Sequence, residues 1–368
     1  MVICPSAPLE RPGSGTAGEM SEYRMQHSNR RLLGFTLLAA VVLGLLVMTS
    51  CTASGQASQQ TLTVYSSRTE SLVHPLLEQY ARDTGVNLRV KYDTTAGIVA
   101  TLQEEGDNSP ADVVYMAESS ALAALSDRSY LQQLPSSTLQ KVDQRMRSSK
   151  GEWMGTSGRS KVLVYNTRTQ NPAQLPTSVL DYTDPKWRGK IGWAPTHGEW
   201  QLLITSLRLQ LGEDAARAWV EGIKANQPRA YPNLISIVQA AADGEIEVGF
   251  VNHYYVPRFI KERGEGYGAR NFFLKGGDPG SLVDVAGVGV LKRSKNQAAA
   301  QRFVEYMLSD QAQRYFVQET FEYPLVQGVP GPAGLPALSE LDPPKIDPDQ
   351  LADLEGTLRL LRGAGVIP

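Results

Sequence analysis

Cysteine is nearly absent: of 368 residues only Cys4 and Cys51 carry a thiol. Everything beyond position 51 therefore has no disulfide framework and no thiolate-ligated zinc or iron–sulfur site. Histidine is scarce as well. His27, His74, His197 and His253 are the whole complement, too few for a multi-histidine metal site or a histidine-rich catalytic centre, so any metal must be held largely by oxygen. An excess of one charge is also missing. The 36 Lys plus Arg nearly balance 38 Asp plus Glu, for a formal charge of −2, which offers no basic field to hold nucleic acid. Neither a G-x-S-x-G elbow nor an H-E-x-x-H pattern occurs, and the reading is against an enzyme.

One long apolar run is present. The basic stretch Asn29-Arg30-Arg31 precedes Leu32 to Met48, and the run closes on Met48-Thr49-Ser50-Cys51. Small residues just before a cysteine at the end of an export signal resemble a bacterial lipoprotein box, although Met48 stands where Leu is usual. In that reading 1–51 is leader and signal, and Cys51 carries the lipid. The other reading is an uncleaved transmembrane anchor, since the run approaches the roughly 20 residues that span a bilayer. Both put the remainder outside the cytoplasm, with 52–60 as a polar, flexible tether. Residues before about Ser28 carry no functional signal.

Beyond the tether the pattern is α/β. Thr61 to Tyr65 reads as a strand, Leu72 to Asp83 as a helix stopped by Gly85, Leu88 to Tyr92 as a strand, Ala96 to Glu105 as a helix and Ala111 to Tyr115 as a strand. A second series follows: strands near Val162 to Tyr165, Ile191 to Trp193 and Glu247 to Val251, helices at Glu199 to Leu211, Glu213 to Ala225 and Ile235 to Asp243. Then come the Gly-interrupted strand Val285 to Leu291 and the helix Asn296 to Leu308. Alternation of this kind predicts a mostly parallel sheet covered by helices. The length predicts two lobes with a cleft between them, here 61–160 plus 285–335 and 161–284 plus 336–368. Ligands on such sheets bind beyond the carboxyl ends of strands, which points to the loops at Ser66 to Glu70, Met116 to Ser120 and Asn252 to Tyr255.

Several stretches occur together in one order: Thr63-Val64-Tyr65-Ser66-Ser67-Arg68, Ser109-Pro110-Ala111-Asp112-Val113, Ser157-Gly158-Arg159-Ser160, Pro185-Lys186-Trp187-Arg188-Gly189-Lys190 and Asn252-His253-Tyr254-Tyr255. In this the chain resembles the periplasmic ferric-ion-binding proteins of bacterial ABC importers, from about Leu62 to its end. The resemblance implies a two-lobed periplasmic-binding-protein fold of the type II, transferrin-like kind, with lobes discontinuous in sequence. It also implies a monomeric solute receptor that passes Fe(III) to a membrane permease and its ATPase.

Fe(III) is a hard cation that prefers anionic oxygen, and phenolate qualifies once the metal displaces a proton whose pKa is near 10. The resemblance implies that Tyr254 and Tyr255 supply two ligands. Successive strand side chains diverge, so both reach one ion only from irregular or loop backbone. Read without the resemblance, such a pair also packs in cores or walls an aromatic cage. The usual remaining ligands are missing. Thr69 and Glu70 stand where a histidine or tyrosine is common, Ala117 precedes Glu118 where some members have a carboxylate, and Thr196 to Trp200 contains no tyrosine. Glu118, Glu70 and His197 are the substitutes expected, with Glu199 a further acid nearby. Alternatively carbonate, phosphate or citrate completes the shell, bound by backbone N–H groups at Gly198 and by Ser157, Arg159 and Asn252. Arg159 read alone is also a plausible interlobe ion pair. The competing function is an organic solute such as a phosphonate, polyamine or thiamine-like molecule, with Tyr254, Tyr255 and Trp200 as cleft walls.

Overall fold

Residues 60–368 are described by the computed structural model, and Cys51, the apolar run before it and the tether up to position 59 lie outside them. The chain opens with strand β1 (Thr61–Ser66), helix α1 (Glu70–Thr84), β2 (Asn87–Tyr92), α2 (Thr95–Glu105), β3 (Val113–Met116) and α3 (Ser119–Asp127). Helix α1 stops where Gly85 takes a left-handed conformation at φ 66°, a geometry glycine adopts without steric cost. Helix α2 starts at Thr94, whose hydroxyl accepts from the Gly97 amide. The β-α-β-α-β order read from the sequence is therefore present, with β1 between β2 and β3 and parallel to both.

The long strand β4 (Trp153–Asn166) follows, then β5 (Ile191–Trp193), α4 (Gly198–Leu211), α5 (Glu213–Ala225), β6 (Arg229–Ala230), α6 (Leu234–Asp243), β7 (Val248–Asn252), α7 (Tyr255–Arg263), β8 (Ala269–Phe272) and β9 (Val283–Val290). Strand order is β2-β1-β3-β9-β4-β7-β5-β6, with β8 also paired to β4. The expected mostly parallel sheet needs correcting. The outer pairs are parallel, but β9 and β4 run antiparallel to every neighbour.

Strand β4 also starts earlier than its apolar residues suggest. Gly155 to Lys161 is polar in sequence, yet every residue from Trp153 to Asn166 is buried. Along the strand the partner changes: Arg159 pairs with Asp284 and Ser160 with Val283 of β9, whereas Lys161 pairs with Asn252 of β7. Close approach there depends on glycine. A Cβ on Gly287 would lie 2.5 Å from the Met154 carbonyl oxygen and 2.8 Å from the Leu122 side chain.

Two hydrophobic clusters form on either side of this change of partner. One gathers Leu62, Val64, Tyr115, Trp153, Phe303 and Phe316; the other gathers Leu163, Ile191, Trp200, Trp219, Phe250 and Leu361. Each fully buried large apolar side chain contributes about 1.5–3 kcal/mol. Near the C-terminus the Pro-rich chain is pinned at Asp349, whose carboxylate accepts from the Ser148 hydroxyl at 3.0 Å and the Trp153 indole N–H at 2.8 Å. Leu351 packs with Leu202 and Leu282 in a small third cluster.

Candidate metal centre

Strand β7 ends at Asn252 and α7 begins at Tyr255, so the tyrosine pair spans a turn entering a helix. Tyr254 has helical torsions, φ −74° and ψ −13°, which frees the two side chains from the opposite-face rule of a strand. Their hydroxyls converge at 3.3 Å, and the rings lie 4.4 Å apart between centroids at 49°. The Asn252 amide donates to the Tyr254 oxygen at 3.1 Å. Burial, and then the neighbouring Tyr254, push the Tyr255 phenol well above its ordinary value. Such a proton leaves only when positive charge arrives.

Part of that charge is already in place. Arg258 sits three and four residues further along α7, on the same helix face. Its guanidinium carbon is 4.4 Å from the Tyr254 ring centroid and 6.0 Å from that of Tyr255. One of its nitrogens donates to the Thr320 carbonyl at 2.9 Å.

Arg159 and Lys161 project from one face of β4, two residues apart. Arg159 donates to Glu199, to the Ala117 carbonyl and, at 3.0 Å, to Asp284. Lys161 donates to Glu199 and, at 2.9 Å, to the Asn252 carbonyl oxygen of the side chain. Asp284 in turn accepts from the Ser119 hydroxyl at 2.5 Å. Burial alone would raise the Glu199 pKa, but Arg159 and Lys161 outweigh it and hold the carboxyl well below the usual range.

A second buried acid, Glu322, accepts from Arg68 at 2.8 Å and from the Ser157 hydroxyl at 2.5 Å, with Arg258 at 3.9 Å. His253 fixes the backbone beneath it. The Ser160 amide donates to its Nδ1 at 3.1 Å, its Nε2 is 2.8 Å from the Phe321 carbonyl, and its ring stacks on Tyr323 at 4.6 Å. Being wholly buried lowers the His253 pKa to about 4. The ring is therefore neutral at pH 7, with Nε2 carrying the proton.

The residues singled out from the sequence fall in different places. Tyr254, Tyr255 and Asn252 are in direct contact. Glu118 sits at the head of α3, where its carboxylate accepts from the Thr95 hydroxyl at 2.6 Å. Burial, and then the Glu199 charge, push its pKa up. Glu70 is exposed in the first turn of α1. His197 caps α4, its Nδ1 accepting from the Glu199 amide at 3.3 Å, and burial lowers its pKa. Gly198 is the exposed first residue of that helix. Ser157 serves Glu322 and Arg159 serves Glu199 and Asp284, so both are engaged by the chain's own acids. Trp200 is buried edge-on against Trp193 at 5.5 Å, within the second hydrophobic cluster.

Arg68, Lys161, Arg258, Asp284 and Glu322 were not singled out as site residues. The spacing of Arg258 from the tyrosines was a readable signal once α7 is recognised. Glu322 meets Arg68 across 254 residues and gave none. Among the described residues no three His, Cys, Asp or Glu side chains cluster as a metal site.

Residues 76–341 match the family described as bacterial extracellular solute-binding protein. The major ferric iron-binding protein of Neisseria meningitidis serogroup B is 33% identical over 308 residues, covering 83% of this chain and 93% of that protein. The crystal structure of iron-bound HitA from Pseudomonas aeruginosa superposes with a TM-score of 0.78 at 33% identity, over 83% of this chain and 99% of that one. A Trichodesmium IdiA (FutA) structure in complex with iron and citrate gives 0.76 at 28% identity, over 83% and 100%.

Proposed function

Because the chain belongs to the bacterial extracellular solute-binding protein family, we propose that it is the extracytoplasmic receptor of an ABC importer, binds Fe(III) through the phenolates of Tyr254 and Tyr255, and delivers it to a membrane permease and its ATPase. The observation that carries this reading is the 3.3 Å separation of the two hydroxyls, with the Arg258 cation over their rings. Two adjacent phenolates held by neighbouring positive charge form a hard, anionic oxygen pair suited to a trivalent ion. The relatives' names, ferric iron-binding protein and iron-bound HitA, support the same cargo.

Further oxygen donors complete the shell. Glu118, half-buried at the head of α3 whereas Glu70 is exposed, is the acid proposed, and a carbonate, phosphate or citrate ion is the other source expected. The lobes are proposed to be the chain around each hydrophobic cluster, joined where β4 exchanges β9 for β7. A lipid on Cys51 is proposed to hold this single chain at the membrane. The organic-solute reading has less support, since Trp200 is packed away in the core.

The test is optical. Ferric ion added to the protein should produce a visible phenolate-to-iron charge-transfer band, and Tyr254→Phe with Tyr255→Phe should abolish it. A colourless protein that leaves the metal free contradicts the assignment.

A further inference from the structure

His253 joins three parts of the chain directly before the tyrosine pair, and each of its polar atoms is engaged. Strands β4 and β7 pair antiparallel up to Lys161 opposite Asn252. One step further in that register sets Ser160 opposite His253, and the His253 amide does donate to the Ser160 carbonyl at 3.0 Å. In a continued ladder the return bond would run from the Ser160 amide to the His253 carbonyl. It runs instead to the ring, where Nδ1 accepts at 3.1 Å. The His253 carbonyl is turned away and accepts from the Asn271 side-chain amide at 2.6 Å.

The side chain thus closes the last rung in place of the backbone, which is free to leave the strand. Tyr254 takes helical torsions at the very next position, and the two phenols can then face one point. The far ring nitrogen fixes the other end. Nε2 lies 2.8 Å from the carbonyl of Phe321, a residue held in the left-handed region at φ 57°. Only the tautomer with Nδ1 bare and Nε2 protonated serves both contacts. Tyr323 stacks on the imidazole at 4.6 Å and exchanges both backbone bonds with Gly158 of β4, at 2.8 and 2.9 Å. Ser160, His253, Tyr323 and Gly158 therefore form a closed loop that starts and ends on β4. Tyr254 stands edge-on against the same imidazole, 5.6 Å away at 78°. A side chain locked by such a loop holds its neighbour to a narrow range of positions.

We infer that His253 is the positioning residue of the iron-binding pair: its Nδ1 takes the place of a strand carbonyl, so that the chain turns into α7 with the Tyr254 and Tyr255 hydroxyls converging beside β4. The inference rests on the Fe(III) reading and adds to it a residue that acts through the tyrosines and not on the metal.

The experiment compares His253→Asn, whose side-chain oxygen reaches the place of Nδ1, with His253→Phe, which keeps a ring but accepts nothing. Each is read at neutral pH for iron affinity against a competing chelator and for the maximum of the charge-transfer band. His253→Asn stays within about threefold of the wild-type affinity, with the band at the wild-type maximum. His253→Phe binds iron about tenfold or more weakly, with the maximum displaced because the phenolates meet the metal at another angle. A His253→Phe protein that matches the wild type overturns the inference, as does weaker binding with an unmoved maximum, or a His253→Asn protein as weak as His253→Phe. If His253→Phe does not fold, amide exchange of the wild-type protein decides. Coupling is reciprocal, so iron should slow exchange at the Ser160 amide about tenfold or more, and by a larger factor than at Val64 in β1. Slowing no greater at Ser160 than at Val64 overturns the inference. No band in the wild-type protein overturns the Fe(III) reading itself, whereas a wild-type band with unaffected variants overturns only the role given to His253.

Discussion

The guanidinium carbon of Arg258 lies 4.4 Å from the ring centroid of Tyr254, one helical turn along from it. A cation this close offsets part of the negative charge that a metal-bound phenolate would carry. Arg258→Met should therefore weaken iron binding about tenfold or more, measured in competition with a chelator of known strength. Unchanged affinity would mean that the cation only packs against the rings.

Glu322 is the counter-ion of buried Arg68. Burial tends to raise its pKa, but the guanidiniums of Arg68, Arg159 and Arg258 prevail and keep it low. Glu322→Gln leaves Arg68 charged and uncompensated, at a cost of about 3–5 kcal/mol in urea unfolding. A loss below about 1 kcal/mol, the range of exposed pairs, would contradict the buried arrangement.

His253 gives the pH dependence of stability a sign. Its folded pKa of about 4 lies below the ordinary 6.5 because burial disfavours the charged ring. The unfolded chain takes up the proton first, so the contribution is complete above pH 6.5 and is lost as pH falls toward 4. The change amounts to about 3 kcal/mol. His253→Gln, which keeps one acceptor and one donor, should flatten the slope of melting temperature between these limits. An equal slope in the variant assigns the acid sensitivity to other groups.

Iron binding should carry its own proton count. Both phenols must lose a proton to act as phenolates, and burial holds that of Tyr255 especially tightly. Affinity should fall as pH falls, by about two protons per iron after correction for the competing chelator, and by about one in Tyr255→Phe. A slope near zero would exclude phenolate ligation.

Most elements up to α6 were legible because apolar runs of strand or helix spacing and a stop such as Gly85 mark them locally, although α3 and β6 were not read. Strand β4 was legible only from Val162 onward. Its first half is polar, and it is a strand because β9 flanks it and buried acids answer its charges. The tyrosine pair was found through its motif, and its approach to a strand end gave the required backbone break. Helix α7 was not read, so Arg258 was missed. Glu322 and Asp284 are joined to their cations only by tertiary folding, at separations of 254 and 125 residues, which no local pattern encodes. The pairing of Glu199 with Arg159 and Lys161 likewise becomes visible only when β4 and α4 are brought together.

Anomalous diffraction at the iron edge, on crystals grown with ferric ion, tests the central claim most directly. The account predicts one iron peak within bonding distance of both the Tyr254 and Tyr255 oxygens. A peak elsewhere, or bonded to neither phenol, would contradict it.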